Sequence, residues 1–211
     1  MRFFFVEHCM QKNIPLEPGK YYHIFTKGNN QENIFLEEKN YAYFLQLYRQ
    51  HISPIADTFA YCLLKNHFHF LIRIKETCEP QTSQVSETCE VSPAMVSRRF
   101  SNLLNAYTKA INKAYGRTGS LFQERFRRLE VNSPYYFSRL VYYIHFNPQK
   151  HGFLPSFREW PHSSYHTFLL QKPTLLKRDE VLDWFGDRKW FEAFHNQVPD
   201  FLNLTEVVGD D

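Results

Sequence analysis

The sequence predicts an α+β fold, in which a ferredoxin-like antiparallel sheet is covered by helices and short helices follow towards the C-terminus. Apolar segments of strand length alternate with segments whose apolar residues recur at helical spacing. They follow one another as strand, helix, strand, strand, helix, strand and helix, and the first six elements match the ferredoxin-like plan. A chain of 211 residues, 43% of them hydrophobic, is also large enough to bury a sizeable core.

The first half of the chain supplies a strand, a helix and a hairpin. The segment YYHIFT, which begins at Tyr21, has the composition of a strand and is closed by the turn residues KGNN. Residues 36–51 are predicted to be a helix, because aromatic and aliphatic residues recur on one face. The segments DTFAYCLLKN and HFHFLIRI are then two strands, joined by a tight turn at Lys65 and Asn66.

The second half supplies two long helices around a fourth strand. A helix opens with Ser92 as its N-cap and Pro93 in its first turn, and Gly116 ends it. The segment SLFQERFRRLEV follows as a strand. The helix PYYFSRLVYYIHFN is expected to end at Pro148, because proline disfavours a helical conformation in the residue before it. Two short helices around Gly186 come last.

A polar, acidic segment separates the third strand from the first long helix. Residues 75–92 carry four glutamates and one lysine and have no apolar stripe, which predicts a flexible loop. Cys78 and Cys89 lie in it, at a spacing that matches no common metal site. We expect one main domain over residues 1–170, which includes this loop, and a helical appendage over 171–211.

Positive charge is concentrated in one part of the chain. The net charge is only +3. Between residues 98 and 128, however, eight basic residues stand against the single acid Glu124: Arg98, Arg99, Lys109, Lys113, Arg117, Arg125, Arg127 and Arg128. Such a surplus favours a polyanionic partner, although a solvated helix face would have a similar pattern. Aromatic residues, at 18%, could also supply stacking surface for bases.

The cysteines and the apolar runs indicate a cytoplasmic protein. The four cysteines form no CxxC pair, which predicts a reducing setting without disulfides. The opening MRFFFVEHCMQKN has too short an apolar run for a signal peptide, and no run has the length of a membrane span.

Two histidines interrupt the apolar third strand. Since side chains alternate along a strand, His67 and His69 point to the same face. Paired imidazoles are a common metal-ligand arrangement, but two of them do not complete a site. A pair of histidines on a solvated sheet face remains the alternative.

A tyrosine and an amide are paired on the second long helix. Tyr143 and Asn147 are four residues apart, so they lie on one flank of the helix. Tyr142 is the rival tyrosine, but its neighbour four residues on is Phe146, which offers no ligand. Tyr143 could also simply pack in the core.

These motifs together resemble the HUH (histidine–hydrophobic–histidine) single-tyrosine transposases, and most closely the REP-associated tyrosine transposases of bacteria. LKNHFHFLI is similar to the HUH strand and YYHIFTKGNNQENIF to the first strand and its turn. GRTGSLFQERFRR, LVYYIHFNPQKHGF and EWPHSSYHTF resemble the Gln-x-Arg-Phe strand, the catalytic helix and the segment behind it. The resemblance covers about residues 21–170. The acidic loop and Lys150, where arginine is frequent, depart from the family pattern.

The resemblance implies a function on DNA. His67, His69 and Asn147 would hold Mg²⁺ or Mn²⁺, and Tyr143 would attack the scissile phosphate of single-stranded or hairpin DNA, forming a 5′-phosphotyrosine. The candidate DNA-binding residues are Arg98, Arg99, Arg125 and Arg127. The protein would act as a monomer or a homodimer, away from membranes.

Two other functions stay open at this stage. A descendant of such a transposase could bind hairpin DNA or RNA without cutting it, although intact His67, His69, Tyr143 and Asn147 argue against a decayed site. A metal-dependent hydrolase unrelated to DNA would lack an obvious extra carboxylate near the histidines and would not explain the basic segment.

Overall fold

The computed structural model describes residues 14–78, 89–123 and 126–197. Its centre is one sheet of four strands in the order β2-β3-β1-β4, in which every neighbouring pair is antiparallel. The strands are β1 (Tyr21–Lys27), β2 (Ala56–Leu63), β3 (His67–Ile74) and β4 (Arg127–Val131). This order is that of a ferredoxin-like sheet, so the predicted fold class is confirmed.

Helices cover both faces of the sheet. They are α1 (Glu38–His51), α2 (Pro93–Tyr115), α3 (Pro134–Lys150), α4 (Tyr165–Leu169), α5 (Arg178–Phe185) and α6 (Arg188–Asn196). The first two share a core with one face of the sheet, and α3 to α6 share a second core with the other face. The strand β3 is therefore buried on both sides.

The side-chain alternation of β3 separates its core residues from its histidines. Phe68, Phe70 and Ile72 belong to the core beneath α1 and α2. His67 and His69 point to the opposite face, towards α3. Because α3 covers that face, the two histidines are buried, which rules out the alternative of a solvated histidine pair.

Three boundaries differ from the predictions. Pro148 does not end α3, since the helix continues to Lys150. Only two helical residues follow the proline, so the distortion that it causes is confined to the end of the helix. The strand β4 begins at Arg127 rather than at Ser120, and Leu121 and Phe122 are buried as part of a connecting segment. Helix α1 begins two residues late, behind the capping residue Glu37.

The acidic segment is held at both its ends, contrary to the prediction of a flexible loop throughout. Cys78 and Cys89 form a disulfide, which corrects the expectation that the chain has none. Their Cα atoms are 5.6 Å apart, a normal distance for a bridged pair. Thr77 and Glu90 pair as an antiparallel bridge beside it. The central residues 79–88 lie outside the described residues.

The two C-terminal helices pack on α3, and a buried polar chain joins them to it. Val181 of α5 and Phe191 of α6 belong to the core that includes α3. Inside this core, His145 of α3 places Nδ1 3.0 Å from Nε2 of His195 in α6 and Nε2 2.8 Å from Oγ of Ser164. Both predicted short helices around Gly186 are confirmed. Within the described ranges, no helix is long and apolar enough to span a membrane.

Candidate metal and nucleophile site

The strand β3 contributes two imidazoles to one side of the site. The rings of His67 and His69 stand edge to face, with centroids 5.1 Å apart. His67 Nδ1 lies 2.7 Å from Oδ1 of Asn66, the residue before it, and this bond fixes the ring. His69 is fully buried, and burial lowers its pKa well below the usual value. The ring is therefore neutral, as a metal ligand must be.

A third histidine, His23, stands behind His69. Its Nε2 lies 2.9 Å from His69 Nδ1, and both side chains are fully buried. The pairing of β1 with β3 sets Phe25 opposite His69, so His23 is the diagonal neighbour of His69. We did not single out His23 from the sequence, because the register between two strands that are distant in the chain is not visible in a single apolar segment.

Helix α3 brings a tyrosine and an amide to the same place. The Tyr143 ring centroid is 5.6 Å from that of His69. The amide nitrogen of Asn147 donates to the Tyr143 carbonyl oxygen at 3.0 Å, so the two residues predicted to share a flank are joined. Tyr142 points elsewhere and packs against Phe146 and His195. The apolar side of the helix is anchored by Phe137, Leu140, Val141 and Ile144, which are all buried.

The donor atoms at this site fit a divalent cation. Asn147 Oδ1 and His69 Nε2 are buried, and neither has a hydrogen-bond partner among the described residues. Buried polar atoms normally have such a partner, so each of these two atoms is chemically suited to bind a cation. The described part of the chain holds no group of three or more histidine, cysteine or carboxylate side chains suited to a metal. A site on two histidines therefore needs a different third donor, and the amide oxygen of Asn147 supplies one.

Two residues at the end of α3 also reach the site. Lys150 Nζ lies 3.3 Å from the Tyr143 hydroxyl oxygen and 4.8 Å from the ring centroid. The lysine is exposed whereas Tyr143 is fully buried, so the ammonium group stands between the phenol and solvent. His151 contacts His67, with ring centroids 4.7 Å apart. The signal for Lys150 was present in the sequence, since residues seven apart lie two helical turns apart on one face.

The candidate DNA-binding arginines do not lie together. Arg127 is exposed on the face of the tyrosine, with its guanidinium 6.0 Å from the Phe25 ring centroid. Arg98 is exposed and Arg99 half-buried, and both belong to α2 on the other side of the sheet. Arg125 lies outside the described residues. Arg128, next to Arg127, points to the α2 side, where it donates to Ser97 Oγ at 3.2 Å.

A polar groove runs along α2 on that second side. It encloses about 710 Å³ between the helix and the segment that leads into β4. Ser101, Asn105 and Asn112 supply hydroxyl and amide groups, and Lys109 and Arg128 supply positive charge. None of the described residues that line it is acidic. The lining therefore offers positive charge and hydrogen-bond donors, which are the groups that contact phosphates, beside the apolar side chains of Leu104, Phe122 and Phe126.

Comparison with known proteins agrees with the motifs. No family model matches the chain. A REP-associated tyrosine transposase of Haemophilus influenzae is 26% identical over 154 residues, which cover 67% of this chain and 82% of that protein. A solved structure of a REP-associated tyrosine transposase bound to a REP hairpin superposes with a TM-score of 0.55 at 16% identity, over 76% of this chain and 87% of that chain. The family resemblance predicted from the sequence is thereby confirmed.

Proposed function

Taking the relationship of this chain to the REP-associated tyrosine transposases as the premise, we propose that it cleaves and rejoins single-stranded DNA at hairpins in a metal-dependent reaction. One observation carries the proposal. Helix α3 sets Tyr143 against the His69 ring, beside the two unsatisfied buried donors His69 Nε2 and Asn147 Oδ1. A potential nucleophile thus adjoins a potential metal site, on a fold related to proteins that handle hairpins.

The residues proposed to hold the cation are His67, His69 and Asn147. All three are neutral donors, so a bound ion keeps its full charge. Either Mg²⁺ or Mn²⁺ is expected, and the imidazole nitrogens favour Mn²⁺ of the two. When bound, the ion would polarise the scissile phosphate and offset the charge that develops on it.

The protein residues carry the covalent chemistry. Tyr143 gives up its hydroxyl proton, and its oxygen attacks phosphorus while the bond from phosphorus to the 3′ oxygen breaks. The products are a 5′-phosphotyrosine and a strand with a free 3′-OH, which takes up a proton. Attack by the 3′-OH of another strand reverses the step and releases the tyrosine. Since one phosphodiester is exchanged for another, the reaction needs no ATP.

The DNA is proposed to contact both sides of the sheet. Arg127 stands on the tyrosine side and would bind the phosphates next to the cleaved bond. The acid-free groove along α2 would hold the backbone of the hairpin stem, through Lys109, Arg128 and the neighbouring hydroxyl and amide groups. In this arrangement Arg127 and Arg128 both serve DNA, from opposite faces.

The test of the proposed function is a pair of tyrosine variants. Tyr143→Phe removes one oxygen and keeps the ring, so the fold and hairpin binding should stay near wild type while the covalent protein–DNA adduct disappears. Tyr142→Phe is the matched control, because this neighbouring ring packs towards α6 and should leave adduct formation intact. Adducts are scored on denaturing gels with hairpin oligonucleotides and Mg²⁺ or Mn²⁺.

The same experiment separates the enzyme from a hairpin-binding module that does not cut. Full burial of Tyr143 is the observation that favours the module, since the phenol must become accessible before it can attack. A wild-type protein that binds hairpins with either ion but forms no adduct on any of them would favour the module. Adduct formation by Tyr143→Phe would show instead that the nucleophile is another residue.

A further inference from the structure

His23, the fully buried histidine of β1, lies next to the candidate metal site. Its orientation there is more specific than core packing alone requires. His23 and His69 lie 46 residues apart in the chain, yet their rings face each other through nitrogen atoms 2.9 Å apart. The two rings are close to parallel, with an angle of 19° between their planes. Two ring nitrogens at this distance share one proton, so one of them donates and the other accepts.

The direction of that bond decides what His69 can do. A neutral imidazole carries one proton, and the nitrogen without it has the lone pair that binds a metal. His69 Nε2 is the nitrogen that is buried without a hydrogen-bond partner among the described residues. If it binds the ion, the proton of the ring must be on Nδ1, and Nδ1 lies within hydrogen-bond distance of His23 Nε2.

We propose that His23 is a positioning residue of the metal centre. It accepts the Nδ1 proton of His69, and this bond fixes the tautomer and the plane of His69 so that the Nε2 lone pair points to the ion. The inference rests on the metal site of the proposed function. It makes β1 part of that site, although β1 contributes no ligand.

The second predicted ligand is held in the same way. His67 Nδ1 lies 2.7 Å from Asn66 Oδ1, an oxygen that can only accept, so a neutral His67 also carries its proton on Nδ1. Each proposed ligand histidine thus donates its Nδ1 proton to an acceptor. For His67 the acceptor belongs to the preceding residue, and for His69 it belongs to the neighbouring strand β1. Partners of this kind set the orientation and basicity of metal-bound histidines, and their loss typically weakens metal binding about 10- to 100-fold.

Two substitutions distinguish positioning from packing. His23 also stacks on Phe25, with ring centroids 4.6 Å apart. If packing were its only role, any flat ring would serve, and a hydrogen-bond acceptor would not be necessary. His23→Phe keeps a ring and removes the acceptor. His23→Gln removes the ring and keeps an amide oxygen that reaches about as far as Nε2.

The first measurement needs no metal. Nitrogen-15 NMR of the histidine rings in the metal-free protein should find His69 protonated on Nδ1 in the wild type and in His23→Gln. In His23→Phe the proton should be distributed between the two nitrogens. A wild-type His69 that carries its proton on Nε2 would overturn the inference, whatever the protein does to DNA.

The second measurement is Mn²⁺ titration by calorimetry on the folded variants. His23→Phe should raise the dissociation constant about 10- to 100-fold, and His23→Gln should restore most of the affinity. Wild-type affinity in His23→Phe would reduce His23 to a packing residue and overturn the inference alone. His69→Ala is the reference for a lost ligand; if it too binds Mn²⁺ like wild type, the metal site of the proposed function fails together with the inference.

Discussion

The structure leads to a different interpretation of Lys150 from the one that the sequence suggests. In the sequence it is a departure from the arginine that is frequent in the related family. In the structure its ammonium group lies 3.3 Å from the hydroxyl oxygen of Tyr143. A free tyrosine has a pKa near 10, so attack at neutral pH requires a group that stabilises the phenolate. An adjacent fixed positive charge is suited to that role.

The prediction for Lys150 is a loss of rate without a loss of binding. Lys150→Met keeps the aliphatic chain and removes the charge, and should slow adduct formation about 100-fold, a usual effect of deleting one stabilising donor. Lys150→Arg should retain most of the rate, because the charge remains. Single-turnover cleavage of a labelled hairpin measures both variants, and equal rates for Lys150→Met and wild type would contradict the role.

The sequence identified most residues of the candidate site individually. His67 and His69 were found through strand alternation, and Tyr143 and Asn147 through helical spacing, because both periods are properties of the local chain. His23 was not found, since its place depends on the register between β1 and β3. Single-sequence patterns contain periods but not registers, so the shared face of the candidate residues was predictable and the place of His23 was not.

At the scale of elements, α2 combines a core stripe with a flank that contains no acid. The buried stripe consists of Val96, Phe100, Leu103, Tyr107 and Ile111. All 23 residues of the helix, Pro93–Tyr115, are free of aspartate and glutamate. A long surface helix usually mixes both charge signs, so this composition fits the proposed contact of the exposed flank with DNA.

The prediction for this helix concerns the salt dependence of DNA binding. Each phosphate contact to a cation contributes about 0.9 to the slope of log affinity against log salt concentration for duplex DNA. Lys109→Gln should therefore lower the slope by about one and weaken binding at moderate salt. Lys189→Gln on α6 is the control, a lysine exposed far along the chain from the groove. Fluorescence anisotropy over a salt series measures both, and equal slopes would remove the groove from the DNA interface.

Elements whose signals are local were predicted well, and those fixed by tertiary contacts were not. The hairpin of β2 and β3 and the helix between Ser92 and Gly116 have explicit turn and cap residues. The disulfide of Cys78 and Cys89 depends on two chain ends that come together as an antiparallel bridge, which no spacing rule reveals. The division into a domain over 1–170 and an appendage stays a prediction, although α5 and α6 share the core of α3.

For the whole molecule, the buried histidine chain between α3 and α6 links stability to pH. The ring contacts can be assigned with neutral rings: Ser164 donates to His145 Nε2, His145 Nδ1 donates to His195 Nε2, and His195 Nδ1 donates to the Phe191 carbonyl oxygen. Burial lowers the pKa of His145 well below its usual value and that of His195 to about 3.

The protein should therefore lose stability in acid. Between the unfolded value near 6.5 and the folded value near 3, the unfolded chain binds a proton at His195 that the folded chain does not. The free energy of unfolding is then highest above pH 6.5 and falls as the pH drops, by up to about 1.4 kcal/mol per unit for each such histidine. His195→Leu should lower stability at pH 7.5 but flatten the acid slope.

Urea unfolding at pH 7.5, 6.5 and 5.5 measures that slope. His166→Gln is the control, because this histidine is exposed and lies outside the chain of bonded rings. An acid slope in His195→Leu as steep as in wild type would show that other groups govern the pH dependence.

The bond between Asn147 and the Tyr143 carbonyl has a mechanical consequence. The proposed nucleophile Tyr143 and the proposed ligand Asn147 lie one turn apart on a single helix, so their backbone positions move together. The proposed histidine ligands, His67 and His69, lie on a different element, the strand β3. The geometry of the proposed site therefore depends on how α3 packs on the sheet. Helix α6 supports that packing through Phe191 and His195. A substitution that weakens this packing would therefore be expected to disturb the proposed site without changing any proposed DNA contact.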